Sequence, residues 1–538
     1  MTISNQDRFA ILLAFIVPIL ASAPIFAGYL SSAPPEKIFM GLDFVDDFHW
    51  YVSMVRESQD TLSPLVSNRA TTEPQEGHYL SLYFWIQGLV SRFTGLPIPI
   101  VFVTFRILAE AAFFISLWFL LNYFFQEPAQ KMTGYLLVLF SGGAGWLTAL
   151  LGNFILALAR LRSSDLTYTL GYNTFGYLYS PLPFLSYALF VLCTIFLFKF
   201  WETKERKNLL YALIFFGFIF FNHPVSAILF YAIIGFLAFV PLLLDHNWKK
   251  TMELLNTVKF FIIPLAIAIV YFLWALSDPV YSATVSAYSQ GFQRTESVFF
   301  YPIGFGLILL FAVNGAKNHR IPTDWAKYFL FSWVAVAFLL AVNPWKGIRF
   351  LFGLHVPLVI LSTYGLYHFL EIHRKARWMP SKKSAVLAFV ILVSISSPLI
   401  LNQRIQEIQT NNFEGSAYLS EKEIKAMQFL DQQPKSNVLS GYRAGNNLIW
   451  MTPHYAYLGH QLNVTIERSR KAESVRQFFS PQTSTEWKKQ LLQENKIRFI
   501  YYGPEERVMG FVDESLPVRK VFDNEKVQIF ALTYEILN

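Results

Sequence analysis

The sequence predicts a mostly α-helical, polytopic membrane protein with a small α/β domain at its C-terminal end. Three observations predict this class. Of the 538 residues, 54% are hydrophobic and only 15% are charged, well below the roughly 25% of charged residues in soluble domains. Apolar runs near the length that spans a bilayer recur along the chain up to Leu401. After Leu401, charged and amide residues become frequent.

The apolar segments predict 12 or 13 membrane spans, and the number depends on one of them. The segment near 133–160 contains "SGGAGW", and its glycines Gly142, Gly143 and Gly145 favour a break into two shorter helices. The candidate spans lie near residues 9–30, 79–95, 98–124, 133–160, 183–200, 208–222, 225–244, 254–276, 298–315, 326–343, 349–370 and 382–401.

The basic residues indicate the orientation of these spans. Lys and Arg concentrate in alternate loops, at 199–208, 245–250, 315–320 and 371–383, which predicts that these loops are cytoplasmic. Alternation then places the loop 31–78 and everything after Leu401 on the external, periplasmic side of the plasma membrane. The net charge is +8, but no Lys/Arg block is dense enough to indicate nucleic-acid binding.

The two ends of the chain have simple interpretations. The apolar run that begins at Phe9 continues beyond "ASA" to Leu30, so we expect a retained first helix and not a cleaved signal. Residues 1–401 then form the membrane domain, and 402–538 form an external α/β domain. In the latter we expect helices at "SEKEIKAMQFLDQ", "KAESVRQFF" and "TEWKKQLLQEN", strands at "NVLSGY" and "IRFIYYG", and a hairpin in "VRKVFDNEKVQIFAL" turning at Asp523-Asn524.

The stretch "GLDFVDDFHWYVSMVRES" in the first external loop carries three acidic residues at a helical spacing. Asp43, Asp46 and Asp47 are related by i, i+3 and i+4, so a helix would present all three carboxylates on one face. Crowded carboxylates raise one another's pKa unless a cation compensates, which favours a metal site or a positioned base. A solvated helix start, where the helix dipole favours acids, is the alternative interpretation.

Several motifs together resemble one known family. The stretches "DFHWYVSMVRES", "TTEPQEGHYLSLYFWIQG", "SGGAGWL" and "YLGHQLNVTIERSRKAESVRQFF" are similar to bacterial membrane proteins of the GT-C-fold glycosyltransferases. That family shares a first span, a large external loop with an Asp-containing motif, many further spans and often an external C-terminal domain. The resemblance implies an inverting enzyme that takes a sugar from a polyprenyl-phosphate donor on the external face.

The resemblance also implies roles for the acidic residues. Asp47 matches the catalytic acid of the family's first loop, with Asp46 and Asp43 as competitors or helpers. This carboxylate accepts the proton of the acceptor nucleophile or, in metal-dependent members, holds a divalent cation. No cofactor is certain, and a Mg²⁺ or Mn²⁺ ion, if present, is expected at Asp46 and Asp47.

The leaving polyprenyl phosphate requires cations near the external membrane surface. "NPWKGIRFLFGLHVP" supplies Lys346 and Arg349 at the outer end of a span, three residues apart and so able to share a helical face. Late-helix Lys and Arg residues bind the donor phosphate in the family, with Arg349 the preferred residue here. Snorkelling of basic side chains at a helix end is the alternative.

Four other polar residues are weaker candidates. Glu73 and His78 complete the site or cap the second span. Arg56 is a phosphate ligand or a salt-bridge partner. Arg106 lies near the predicted cytoplasmic end of a span, where snorkelling to the interface is expected.

The expected partners follow from the implied reaction. They are a polyprenyl-phosphate-linked sugar, an acceptor hydroxyl or similar group on a glycan, lipid or protein, and the membrane lipid itself. Two other function classes remain open. A lipid or solute transporter would place charges near the bilayer midplane and often repeat half of its chain. A non-catalytic assembly or scaffold protein could share the same fold.

Overall fold

The computed structural model describes residues 4–30, 37–41, 46–152, 166, 172–178, 181–290, 301–342, 350–376, 379–410, 417–460 and 464–533. The chain divides into two compact units. The helical unit comprises Met1–Ala23, Phe105–Ile269 and Gln293–Arg404. The mixed unit comprises Pro24–Thr104, Val270–Phe292 and Ile405–Asn538.

Helices dominate the described residues, as the composition predicts. Two of them begin at capping boxes, in which Ser4 pairs with Asp7 and Ser420 pairs with Glu423. The α-helices are Asn5–Ala21, Ala23–Leu30, Asp46–Thr61, Leu82–Thr94, Ile98–Leu120, Pro128–Phe140, Gly145–Gly152, Thr174–Tyr177, Pro181–Thr203, Arg206–Asn222, Pro224–Leu237, Val240–Asp245, Trp248–Val258, Ile262–Ala275, Pro279–Gln290, Tyr301–Lys317, Asp324–Ala341, Phe352–Ile372, Lys382–Val393, Ser396–Thr410, Glu421–Asp431, Tyr442–Met451, Arg468–Phe479, Thr485–Glu494 and Pro504–Met509. Short 3₁₀ turns occupy Leu121–Tyr123 and Lys259–Phe261.

Within the described residues, six helical segments are long and apolar enough to cross a membrane, and two bent helix pairs raise this number to eight if each pair is one span. The six are Ile98–Tyr123, Phe184–Thr203, Trp248–Ala275, Asp324–Ala341, Gly353–Ile372 and Lys382–Thr410. The chain is therefore a mostly helical membrane protein with several spans. The count of 12 or 13 stays a prediction.

The break predicted at "SGGAGW" is confirmed. One helix ends at Phe140, the next begins at Gly145, and the two are bent by 50°. The amide of Ala144 donates to the Ile303 carbonyl over 2.8 Å. A side chain on Gly143 would place its Cβ only 2.1 Å from the carbonyl oxygen of Gly304. Glycine is thus required here because two backbones meet without room for a Cβ atom.

Arg106 does not snorkel, so that expectation is wrong. Its side chain is 1% exposed, lies 3.6 Å from the Glu110 carboxylate, and donates to the Ser22 hydroxyl over 2.6 Å. Glu110 is one helical turn further along and is itself fully buried. The helix therefore carries a counter-charge for its own arginine, which removes the need to reach the interface.

The strands of the mixed unit form one sheet and two short pairs. Lys37–Phe39 pairs with Tyr418–Ser420, and Leu65–Val66 pairs with Tyr79–Leu80, both antiparallel. The sheet has five strands, in the spatial order Tyr455–Ala456, Asn437–Leu439, Ile497–Tyr502, Gln528–Leu532 and Val518–Asp523. Its first three strands are parallel, and the last two form the predicted hairpin, which turns after Asp523.

Side chains of the sheet alternate between two apolar cores, as the pleat requires. Val438 and Phe499 face one core, and Leu439 and Ile500 face the other. Ala70, from the segment between the first two spans predicted from the sequence, is buried in the first of these cores. The mixed unit thus joins residues from distant parts of the chain around one sheet. The domain boundary at 401/402 remains a prediction.

Candidate functional site

The acidic stretch singled out in the sequence opens a helix in the mixed unit. This first-loop helix, Asp46–Thr61, begins with two acidic residues, where the helix dipole favours negative charge. Phe48, Val52 and Val55 are buried along one stripe of the helix. Burial of Phe48 fixes the rotation of the first turn, and the Asp47 side chain remains 28% exposed. Asp43 and the Asp46 side chain lie outside the described residues.

Asp47 contacts a histidine from the C-terminal part of the chain. The Nε2 atom of His460 lies 3.5 Å from the Asp47 Oδ1 atom. The His460 side chain is fully buried, and its ring stands 6.5 Å from the ring of Trp50, edge to face. A buried imidazole therefore stands behind a partly exposed carboxylate, an arrangement suited to orienting that carboxylate.

Backbone hydrogen bonds fix the position of His460. The Thr465 hydroxyl accepts from the amides of Gly459 and His460, over 3.3 and 3.0 Å, and donates to the Ala70 carbonyl over 2.8 Å. A Cβ atom on Gly459 would lie 3.2 Å from the Ala70 Cα atom. The His460 segment thus packs directly on the backbone near Ala70.

The second half of the first-loop helix carries a buried ion-pair network. The Arg69 guanidinium donates to Glu57 over 2.6 Å and to Asp60 over 2.9 Å. Arg69 is 1% exposed and Glu57 is 7% exposed at the side chain. Arg56 lies at the edge of the network, where it contacts Asp60 at 3.0 Å and Asp431 at 2.7 Å. Arg56 is therefore a salt-bridge partner of Asp60 and Asp431.

Glu73 contacts a buried lysine of the C-terminal part of the mixed unit. The Lys471 Nζ atom lies 2.7 Å from the Glu73 carboxylate and 2.9 Å from the Thr71 hydroxyl, which also donates to Glu73. Lys471 is almost fully buried, whereas Glu73 is 30% exposed. Burial lowers the pKa of Lys471, and the charge of Glu73 opposes that shift. Glu73 thus stabilises a cation that the protein has largely removed from water.

His78 lies in a separate polar cluster of the mixed unit. Its ring centroid lies 4.1 Å from that of Trp274 with the ring planes tilted by 44°, and its Nδ1 atom lies 4.0 Å from the buried Asp278 carboxylate. Asp278 accepts from the amides of Glu76 and Tyr281, over 3.0 and 2.8 Å. His78 therefore joins the first-loop segment to the helix Pro279–Gln290. The structure shows no contact between His78 and Asp47.

The predicted phosphate contacts, Lys346 and Arg349, lie outside the described residues. In the described part of the chain, no group of three or more His, Cys, Asp and Glu side chains could hold a metal ion. Among the described side chains, Asp47 and His460 supply two donors, fewer than a typical protein site of Mg²⁺ or Mn²⁺ has. A divalent cation at Asp46 and Asp47 therefore stays a prediction.

Sequence reasoning did not identify His460 or Lys471, although both lie in the stretch that carries the family resemblance. Each is polar and fully buried, and each contacts an acidic residue of the first-loop region. The sequence alone shows a histidine and a lysine in a polar segment. Their contacts depend on tertiary packing between parts of the chain that are far apart in sequence.

The fold is that of the GT-C membrane glycosyltransferases. The apo oligosaccharyltransferase of Archaeoglobus fulgidus is similar over 98% of this chain and 74% of its own, at 10% identity and a TM-score of 0.52. The same enzyme tethered to an acceptor peptide with the NVT sequon covers 92% of this chain and 69% of its own, at 11% identity and a TM-score of 0.50.

A mycobacterial protein gives a similar result. The arabinofuranosyltransferase AftD is similar over 96% of this chain, at 13% identity and a TM-score of 0.53, and the match covers 40% of AftD. No family profile and no curated protein sequence matches the chain. Because the sequence identities are only 10–13%, these solved structures establish the fold alone.

Proposed function

We propose that the protein is a membrane glycosyltransferase that moves a sugar from a polyprenyl-phosphate donor to an acceptor on the external face. The observation that carries the proposal is Asp47, a partly exposed carboxylate at a helix start, with a buried histidine 3.5 Å behind it. The GT-C fold supports the reaction class, since the solved structures that share it include an oligosaccharyltransferase and an arabinofuranosyltransferase. The sugar, hexose or pentose, is left open.

The proposed reaction needs one base. Asp47 takes the proton from the acceptor hydroxyl while that oxygen attacks the anomeric carbon of the donor sugar. The bond from the anomeric carbon to the phosphate oxygen breaks, and the polyprenyl phosphate leaves with the bonding electrons. A single displacement inverts the anomeric centre and needs no second carboxylate as nucleophile.

The remaining groups have supporting roles in the proposal. Lys346 and Arg349 stabilise the charge of the departing phosphate, with Arg349 first. Asp46 and Asp43 are the alternates of Asp47, and a divalent cation at Asp46 and Asp47 would take over part of the charge stabilisation. Glu73, His78 and Arg56 are further candidate substrate contacts. The acceptor is a hydroxyl or similar group on a glycan, a lipid or a protein.

The experiment has two parts. Lipid extracts of cells that lack the protein are searched for a polyprenyl-phosphate sugar that accumulates. The purified full-length chain, reconstituted in liposomes with that extract, is then assayed for transfer. We expect Asp47→Asn to lower the transfer rate by about 10² to 10⁴, the usual contribution of a general base.

Asp60→Asn is the matched control. Asp60 lies on the same helix and has 27% side-chain exposure, against 28% for Asp47. We expect its rate to stay within about twofold of wild type, because Asp60 pairs with arginines. Wild-type transfer by Asp47→Asn would refute the assignment of the base. If no polyprenyl-phosphate sugar accumulates and the wild-type chain transfers none, the proposed function is wrong.

A further inference from the structure

We propose that His460 is a positioning residue for Asp47, whose Nε2–H group orients the Asp47 carboxylate toward the acceptor. The inference rests on the proposed function and assigns a role in the reaction to the C-terminal part of the mixed unit. Its geometric basis is the 3.5 Å separation between His460 Nε2 and Asp47 Oδ1. Contacts of this length shorten when a substrate completes the site.

The difference in exposure between the two side chains decides their roles. His460 is fully buried, so an acceptor hydroxyl cannot reach its ring. Asp47 is 28% exposed and can accept a proton from solvent or substrate. The carboxylate is therefore the group that meets the acceptor, and the histidine acts through it. If the Nε2–H group of His460 donates to Oδ1, Oδ2 is the oxygen that takes the proton.

The position of the histidine is fixed independently of Asp47. Its amide donates to Thr465, and its carbonyl accepts from the Arg468 guanidinium over 3.2 Å. The Ala456 amide donates to the Arg69 carbonyl over 2.8 Å, and the Asn68 side chain donates to the Val464 carbonyl over 2.7 Å. These bonds attach the chain to the first-loop residues both before and after His460 in the sequence. Such support is what a precisely oriented catalytic group requires.

This role gives the Nε2 atom of the buried ring a polar partner. An imidazole removed from water costs free energy unless a polar partner compensates. The Asp47 carboxylate is a charged partner, and charged acceptors form the stronger hydrogen bonds. Placing that partner at the start of a helix also fixes the direction of its side chain, because the helix sets the Cα–Cβ direction.

The test uses two amide substitutions that differ only in reach. His460→Gln places its amide nitrogen near the position of Nε2, whereas His460→Asn places it near Nδ1, away from Asp47. We expect His460→Gln to keep kcat within about threefold of wild type. For His460→Asn we expect kcat to fall by about 10- to 100-fold with KM for the donor little changed, because small errors in orientation cost rate.

His454 gives the matched control. It is as fully buried as His460 and belongs to the same unit, but its ring contacts Ser436 and the Leu430 carbonyl. His454→Gln and His454→Asn should therefore have equal kcat. The thermal unfolding midpoints of the two His460 variants and the two His454 variants show whether a lower rate results from unfolding of the protein.

Three outcomes are decisive. A gap in kcat between His460→Gln and His460→Asn that disappears when Asp47→Asn is added supports the proposal, because the two residues then act as a unit. Equal kcat for the two His460 variants overturns it, as does a gap that persists with Asp47→Asn. Failure of the proposed function would look different from failure of the His460 proposal. In that case the wild-type protein would transfer no sugar, or Asp47→Asn would transfer it at the normal rate.

Discussion

Asp47 and Glu57 lie ten residues apart on the same helix, but their burial and their contacts differ. Glu57 is buried and is bound by Arg69 at 2.6 Å, by the Ser67 hydroxyl at 2.7 Å and by Lys435 at 3.4 Å. Asp47 is partly exposed, and within the described residues its one charged contact is at 3.5 Å. A carboxylate with several close partners stabilises the structure. A carboxylate with a longer contact and an exposed surface suits the proposed role of base.

The partners of Glu57 also determine its pKa. Burial acts to raise this pKa, but the charges of Arg69 and Lys435 and the Ser67 hydroxyl outweigh it and lower the pKa. Glu57 thus stays ionised and resists protonation, which makes it a poor base. The different roles proposed for Asp47 and Glu57 therefore depend on the partners of each carboxylate and not on the residue type.

Removal of the central arginine should have the largest effect on stability. Arg69→Met leaves the buried Glu57 without its main counter-charge, and we expect a loss of about 3 to 5 kcal/mol in the free energy of unfolding. Thermal or denaturant unfolding of the purified chain measures it. Arg476→Met, on an arginine that is 72% exposed, is the control and should cost under about 1 kcal/mol. Equal losses in the free energy of unfolding for the two variants would show that the buried ion-pair network does not stabilise the protein.

A third carboxylate, that of Glu506, extends the comparison. Backbone amides bind Glu506, whereas an arginine binds Glu57. Glu506 is fully buried and accepts from the amides of Gly441 and Gly503. Burial, followed by the neighbouring charge of Glu505, raises the pKa of Glu506 to about 7. The folded protein therefore binds this proton more tightly than the unfolded chain, whose pKa is near 4.5.

The sign of the pH dependence follows from that difference. The contribution of Glu506 to stability is fully present below about pH 4.5 and is lost as the pH rises through about 7, by about 3 kcal/mol. Glu506→Gln should remove this slope between pH 5 and 7.5. The measurement is the midpoint of denaturant unfolding across that range. An unchanged slope in the variant would assign the pH dependence to another group.

The pair of Glu73 and Lys471 should give an intermediate effect. Glu73→Gln leaves the buried Lys471 ammonium without its counter-charge, and we expect a loss of about 2 kcal/mol in the free energy of unfolding. Adding Lys471→Met removes the unpaired charge and should restore part of the loss. Additive losses in the double variant would show that the two side chains do not act as a pair.

Arg56 should have the smallest effect. Its side chain is 19% exposed and pairs with carboxylates that are themselves partly exposed. Arg56→Met should therefore cost about 1 kcal/mol or less. The same variant tests Arg56 as a substrate contact. If it lowers the transfer rate tenfold at unchanged stability, Arg56 belongs to the site and the ion pairs are secondary.

The sequence predicted the fold because hydropathy and turn chemistry act locally. The span near 98–124, the break after Phe140 and the hairpin after Asp523 are each determined by a few neighbouring residues. The expectation for Arg106 is wrong because it rests on a position near the end of a span and leaves out the counter-charge one turn away, at Glu110.

The candidate site was only partly predictable. The sequence shows Asp47 in a cluster of three acids at a helical spacing, and the family resemblance selects it from the three. Its contact with His460 depends on packing between distant segments, which one sequence does not show. Lys346 and Arg349 remain predictions, because they lie outside the described residues.

The most direct measurement compares Asp47→Asn with Glu57→Gln for both transfer rate and thermal midpoint. Both substitutions replace a carboxylate with its amide on the same helix. We expect Asp47→Asn to lose about 10² to 10⁴ in transfer rate and to keep the wild-type thermal midpoint. We expect Glu57→Gln to lower the midpoint while the folded enzyme keeps its transfer rate. A normal transfer rate for folded Asp47→Asn would contradict the central claim that Asp47 is the base.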